Sequence, residues 1–336
     1  MAVVSVRDVA LRARVSVGTV SNVMNHPEKV SPAVVDRVTA AIAELGFIRN
    51  SAARQLRVGR SNTIGLVVLD VRNPFFTDLA RGAEDRAAEA GLIVTLGNSD
   101  ENTDREAHYL DLFEQQHVHG VLISPYADIT DRLRRLRDRG IPAVLVDRTA
   151  TDLSFSSVSV NDIAGGRLAA QHLIDTGRRR IAFIGGPAEI RQVSDRILGA
   201  QQAADARPGV TLEVLKLSAL SVLEGRRAGA EIIARPVSDR PDAIFAANDL
   251  VAIGVLQALM VPGHGVSVPG EIALIGYDDI DFASSAVVPL SSIRQPSALI
   301  GATAVGILLE EAADASVEPR QVVFQPELIV RASTVA

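Results

Sequence analysis

From Thr63 onward, apolar runs of five to seven residues alternate with amphipathic stretches of ten to sixteen, and no other feature restricts the fold so tightly. The runs are Thr63–Leu69, Leu92–Leu96, Gly120–Ser124, Ala143–Asp147, Ile181–Gly185, Leu212–Leu217, Ala243–Ala247 and Ile272–Tyr277. A strand that is apolar on both sides must be covered on both sides, and intervening helices supply the cover, so these runs predict parallel sheets. Eight strands with their crossovers suit two doubly wound lobes better than one closed barrel. In a chain of 336 residues this leaves room for a further small unit in front.

That front unit has its own character. Residues 1–60 carry nine Arg and Lys against four Asp and Glu, a balance of +5, which leaves −11 for the rest of a chain of net charge −6. A basic head on an acidic body predicts that the head meets a polyanion. Ser5 is positioned to cap a helix from Val6 to Ala13, with Asp8 in its electropositive first turn. Ser16 then caps a second helix from Val17 to about Met24. Ser31-Pro32 starts a third, whose apolar stripe of Val34, Val35, Val38, Ile42 and Leu45 ends at Gly46. Three short helices with a tight turn between the first two describe a helix-turn-helix, whose second helix enters the major groove of DNA. Asn50 to Gly59 reads as an N-cap, eight helical residues and a terminal glycine, a helix too short to be stable alone.

The segments VSVRDVALRARVSVGTVSNVMN and VSPAVVDRVTAAIAELGFIRNSAARQLRVGRSNTIGLVV resemble the lactose-repressor (LacI/GalR) family of transcriptional regulators. The resemblance implies a small all-α head, a hinge helix, and an α/β core of two doubly wound lobes similar to periplasmic sugar-binding proteins (type I). The expected domains are a DNA-binding unit at 1–48, a hinge at 49–61 and an effector-binding and dimerisation unit at 62–336. Within the last, lobe one would comprise 62–160 with 293–325, and lobe two 161–292 with 326–336. By the same resemblance Val17, Gly18 and Asn22 occupy base-reading positions, with Asn22 suited to an adenine edge and Val17 to a thymine methyl. Ser5, Ser16, Thr19, Ser21 and Asn25 are expected at phosphates. Asn50, Ala53, Arg54 and Leu56 are expected at the minor groove, with Leu56 wedged between base steps from both subunits of a dimer. Arg14 departs from the family, which usually has glycine at that turn.

Ligands of open parallel sheets bind beyond the carboxyl ends of the strands. Those ends offer Asn73, Phe75 and Phe76 after the first strand, Ser124 after the third, and Asp147-Arg148 after the fourth. The fifth leads through a loop to Arg196, the seventh to Asn248-Asp249, the eighth to Asp278, and Gln295 opens a later helix. Two carboxylates, two guanidiniums, three amides and two aromatic faces suit a neutral polyol. The resemblance places sugar contacts at Asn73 to Phe76, Asp147, Arg148, Arg196, Asn248, Asp278 and Gln295, and adds Leu220, where the family often has an aromatic wall. A pentose such as ribose is the leading expectation, with a nucleoside or nucleobase as the alternative. Asp249 is expected to serve only as a helix N-cap, and Asp147 and Asp278 to stay ionised beside strong donors.

Other functions are disfavoured. The chain has no cysteine and no phosphate loop, dinucleotide fingerprint, nucleophile elbow or paired-histidine zinc motif, so no catalytic residue, metal site or cofactor is expected. A sugar receptor would have no use for the basic head. The start, MAVVSVRDVALRARVS, lacks an apolar core behind a basic end, and no run reaches the roughly 18 apolar residues of a membrane span. The expectation is a cytoplasmic homodimer that contacts operator DNA and a small effector, with no membrane partner.

Overall fold

A computed structural model describes residues 4–47, 60–187, 189–261 and 266–335. The chain divides into two compact units between Ser61 and Asn62.

The first unit is built by its caps. Ser5 accepts from the Asp8 amide while the Asp8 carboxylate accepts from the Ser5 amide, which starts α1 (Val6–Ala13) with a reciprocal pair. Ser16 accepts from the Thr19 amide at 3.0 Å and starts α2 (Val17–Asn25). Pro32 opens α3 (Pro32–Leu45), which Gly46 ends in the left-handed region. Val9, Ala13, Val20, Val23 and Val38 form the small core. Arg14 sits between α1 and α2 at φ 53°, ψ 49°, a conformation that costs a residue with a Cβ on the order of 1 kcal/mol. The expected hinge, with Asn50, Ala53, Arg54 and Leu56, lies outside the described residues.

The second unit is two stacked α/β lobes. Lobe one runs through β1 (Thr63–Val68), α4 (Pro74–Glu89), β2 (Ile93–Asn98), α5 (Thr103–Gln115), β3 (Gly120–Ile123), α6 (Thr130–Asp138), β4 (Ala143–Val146) and β5 (Ser157–Val160). The chain then enters lobe two with α7 (Asp162–Asp175), β6 (Arg180–Gly185), α8 (Arg191–Asp205), β7 (Thr211–Lys216), α9 (Val222–Ala234), β8 (Ala243–Ala246), α10 (Asp249–Leu259), β9 (Ala273–Ile275) and the short α11 (Asp281–Ser284). It returns through β10 (Ser292–Arg294) to α12 (Ser297–Ala313) and β11 (Gln321–Phe324), and leaves again through β12 (Glu327–Ile329). The lobe-one sheet has the order β11-β5-β4-β3-β1-β2 and the lobe-two sheet β7-β6-β8-β9, all parallel. The connecting strands β10 and β12 pair antiparallel with each other.

Each sheet is covered on both faces, as its apolar strands require. In lobe one, Val67 and Ile123 face Phe113 and Leu133, while Ile64, Leu66 and Leu122 face the α4–α12 layer. Three helix pairs approach closely through reciprocal glycines: Gly82 and Gly301 between α4 and α12, Gly166 and Gly199 between α7 and α8, and Gly225 and Gly254 between α9 and α10. A Cβ at any of the six would lie within 2.3 Å of a backbone carbonyl oxygen of the facing helix.

Three local expectations need correction. Arg196 lies inside α8 and not at the end of a loop, and Gln295 precedes α12, which begins at Ser297. Asn248, not Asp249, caps α10 by accepting from the Val251 amide. Asp249 is fully buried and accepts from the Ile280 amide at 2.9 Å and the Ser292 hydroxyl at 2.7 Å, tying the loop after β9 to the connecting strand β10. That short polar strand had only its sequence run Ser291–Arg294 to announce it.

Candidate functional site

A cavity lies between the lobes at the carboxyl ends of their strands, the place where open parallel sheets bind small molecules. Lobe one contributes Asn73, Phe75, Phe76 and Asp147, and lobe two Arg196, Leu220, Asn248 and Asp278, with Gln295 from the crossover before α12. Phe75 and Phe76 are buried edge to face, ring centroids 5.0 Å apart. Ser124 and Arg148, expected here, do not line this cavity. Ser124 is fully buried behind it, and Arg148 turns away to donate to the Ala127 carbonyl at 3.0 Å. Asp147 and Arg148 follow directly on β4, where successive side chains point to opposite sides.

Six lining residues were not anticipated. Asp70 and Glu101 add two carboxyl groups, Gln192 an amide, and Leu69, Ile190 and Val193 apolar walls. Gln192 donates from lobe two to both the backbone oxygen and Oδ2 of Asp147, each at 2.7 Å. On the other side, Asn73 of lobe one donates to Asp278 Oδ2 and Gln295 to Asp278 Oδ1, each at 2.8 Å. The cleft is therefore bridged by direct lobe-to-lobe hydrogen bonds.

Arg196 is the sole guanidinium of the cavity lining among the described residues. It is 5% exposed, its Nε donates to Asp162 at 2.8 Å, its Nη1 donates to the Ala247 carbonyl at 2.7 Å, and its guanidinium carbon stands 3.6 Å from the centroid of Tyr277. Burial alone would lower its pKa, but the carboxylates of Asp162, Asp278 and Asp147 outweigh this and raise it. Its ion pair is made with Asp162.

At Asp147 and Asp278 burial works against the ionised form expected from the sequence. Burial pushes Asp147 well above the usual carboxylate range, reinforced by Asp162 and opposed by Arg196. Asp278 rises for the same first reason, against the pull of Arg196, Asn73 and Gln295. Asp147 Oδ1, Gln192 Oε1 and Gln295 Oε1 are buried without a hydrogen-bond partner among the described residues. Gln192 Oε1 and Gln295 Oε1 are acceptors, since each amide nitrogen already faces an Asp carboxyl group. What fills this cavity must bring donors.

Glu101 is raised to about 7, first by burial and then by Asp70. A carboxyl that binds its proton more tightly folded than unfolded stabilises the fold at low pH and loses that contribution as pH rises. Stability is therefore expected to fall between about pH 4.5 and pH 7, and Glu101→Gln to flatten that part of the profile. Urea midpoints across the range test this, and an unchanged slope in the variant rejects it.

In the head, Val17 is 42% exposed and Gly18 and Asn22, one turn apart on α2, are exposed. The hydroxyl and amide groups beside them also have local partners. Ser5 Oγ donates to Asp8, Ser16 and Thr19 share a bond of 2.9 Å, and Asn25 Nδ2 donates to the Ser21 carbonyl and hydroxyl.

Comparison with known proteins places these features in a family. Residues 5–50 match the family described as bacterial regulatory proteins, lacI family, and residues 170–334 a periplasmic binding protein-like domain. The ribose operon repressor of Escherichia coli is 33% identical over 339 residues, covering 98% of this chain and 99% of the relative. The structure of the Lac repressor dimer bound to operator and the anti-inducer ONPF aligns with TM-score 0.84 at 26% identity, covering 99% of both chains. A LacI family regulator from Enterococcus faecium with bound ribose aligns with TM-score 0.73 at 29% identity, covering 81% of this chain and 98% of that one.

Proposed function

Since the chain belongs to the LacI family of bacterial transcription regulators, we propose that it is a cytoplasmic homodimeric repressor whose effector is a small neutral sugar, with a pentose such as ribose first. The family's DNA-binding head and effector-binding core are both present, so a DNA-binding regulator with a small-molecule effector is the basic activity. The effector class rests on one observation: the cavity presents two buried amide oxygens without donors, Gln192 Oε1 and Gln295 Oε1, beside the unpartnered Asp147 Oδ1. A polyol supplies hydroxyls that donate to both amide oxygens and pair with the Asp147 carboxyl, and its C–H face can lie on Phe75 or Phe76. Among the described residues the lining holds one guanidinium, already paired with Asp162, which opposes a phosphorylated ligand. Leu220 offers no aromatic face, which favours the sugar over a nucleobase.

The coupling follows from which bonds the ligand replaces. Asn73–Asp278 and Gln192–Asp147 join the lobes directly. A ligand that takes over these groups changes the lobe orientation it stabilises. Lobe one begins at Asn62, directly after the hinge segment, so its orientation in a dimer would set the spacing of the two hinge helices. Held together, they would fold with Leu56 in the minor groove; held apart, they would melt.

Ribose is expected to raise the melting temperature of the pure protein and to change its affinity for a selected operator at least fivefold, the low end of allosteric coupling. Leu56→Ala is expected to weaken operator binding and leave ribose binding intact. A panel of pentoses, hexoses and nucleosides that leaves the melting temperature unmoved would overturn the effector assignment.

A further inference from the structure

Arg7, Leu11 and Arg14 follow one another at helical spacing along α1 and line a single shallow groove with Val15, Ser16 and Val17. Leu11 is 78% exposed and Val17 42%. Arg12, on another side of the helix, is held by Glu44 at 2.6 Å. Arg7 and Arg14, in contrast, have no hydrogen-bond or ion-pair partner for their side chains among the described residues, and no carboxylate lines their groove. The head thus keeps two uncommitted guanidiniums on an apolar floor beside the N-terminus of α2.

Arg14 makes the arrangement informative. Its backbone is left-handed, at φ 53°, with its amide donating to the Ala10 and Leu11 carbonyls. Glycine satisfies that geometry without strain. A side chain kept where glycine would be easier must act outside the turn, or it is a pure burden. Its surroundings say on what: an extended cation over apolar atoms, next to the exposed base-reading positions, is complementary to a phosphate and its deoxyribose.

We propose that Arg14, together with Arg7, grips a phosphate of the DNA backbone at the edge of the major-groove contact, adding to the five serine, threonine and asparagine positions already expected there. The assignment rests on the head being the DNA-binding unit. It makes the turn between the two helices a binding element as well as a connector. The contact is sequence-independent, because a guanidinium on a phosphate reads charge and not base identity.

The test exploits opposite signs. Arg14→Gly removes the strain and the charge together, in the full-length protein. Binding is followed by fluorescence anisotropy on a duplex selected from a random pool by the wild-type protein, and on an unselected duplex of equal length. Arg14→Gly is expected to keep or raise the melting temperature and yet weaken binding to both duplexes by on the order of tenfold at about 0.1 M salt. Two contacts per dimer should disappear from the salt dependence, lowering its slope by about 1.8. Arg14→Lys should retain most of the slope. If the wild type binds neither duplex, the DNA-binding reading itself fails. If the wild type binds and Arg14→Gly binds as tightly with the same slope, Arg14 is only a turn residue and the proposal is wrong. A loss confined to the selected duplex also overturns it, since that would be base reading.

Discussion

Replacing Arg196 by methionine is expected to destabilise the effector-binding unit by about 3–5 kcal/mol and to abolish the effector response. The guanidinium is buried against Asp162, the Ala247 carbonyl and the Tyr277 ring at once. Without it, the Asp162 carboxylate is left nine-tenths buried and uncompensated, and it must protonate or draw in water. Stability and response can be separated by a second change. Arg196→Met with Asp162→Asn removes the stranded charge and should recover much of the stability in urea unfolding, while the ligand-induced thermal shift stays absent. A single variant that unfolds like the wild type would show that the pair is solvated and not structural. A double variant that responds to sugar would take Arg196 out of the site.

The second large effect belongs to a residue that carries no chemistry. Gly166→Ala is expected to cost about 3 kcal/mol, because its new Cβ would stand 2.1 Å from the Arg196 carbonyl oxygen. The obstacle is backbone, so no rotamer change relieves it, and α7 and α8 must separate. Separation shifts the residue that holds the cavity's one guanidinium, so sugar affinity should fall with stability. Gly306 in α12 is the control, since a Cβ there meets nothing within 4 Å. Gly306→Ala is expected to stabilise by about 0.5–1 kcal/mol through helix propensity. Urea titration of both variants decides the matter. Equal, small effects would mean that the helix pairs are looser than their glycines imply.

Much of the architecture was legible before the structure. The head's caps gave its helices to within a residue or two, because Ser5, Ser16 and Pro32 act through local hydrogen bonds and fixed dihedrals. The eight apolar runs all became strands; six are buried on both faces, while the edge strands β2 and β7 stay largely open. β5 left no such run: Ser157 and Ser159 alternate with valine, the pattern of a strand with one wet face, yet both serines are buried. The returning strand β11 pairs alongside β5 and makes it an interior strand of the sheet, a contact more than 160 residues away in the chain.

In the site, residues that follow a strand closely, or that the family resemblance implies, are legible, and several set by loop geometry are not. Asp147 and Asn248 lie one and two residues past their strands. Arg148, the next residue, donates to the Ala127 carbonyl and does not line the cavity. Glu101 reaches the cavity through a loop in which it and Asp100 both have positive φ, and nothing in their side chains announces that path. Gln192 needed the start of α8 to be placed at Arg191, where sequence periodicity left a loop.

The paired connecting strands have a mechanical consequence. Of the three passages between lobes, two are zipped together: Ser292 lies opposite Ile329, Ile293 opposite Leu328 and Arg294 opposite Glu327. Arg294 further bonds Asp279 at 2.8 Å at the lobe-two end of this ribbon. A two-stranded ribbon bends readily across its flat face and resists shear in its own plane, whereas three separate threads would let the lobes slide, twist and part at will. A molecule in the cleft is therefore expected to tilt the lobes about one preferred axis, much as a door passes on only the swing its two hinges permit.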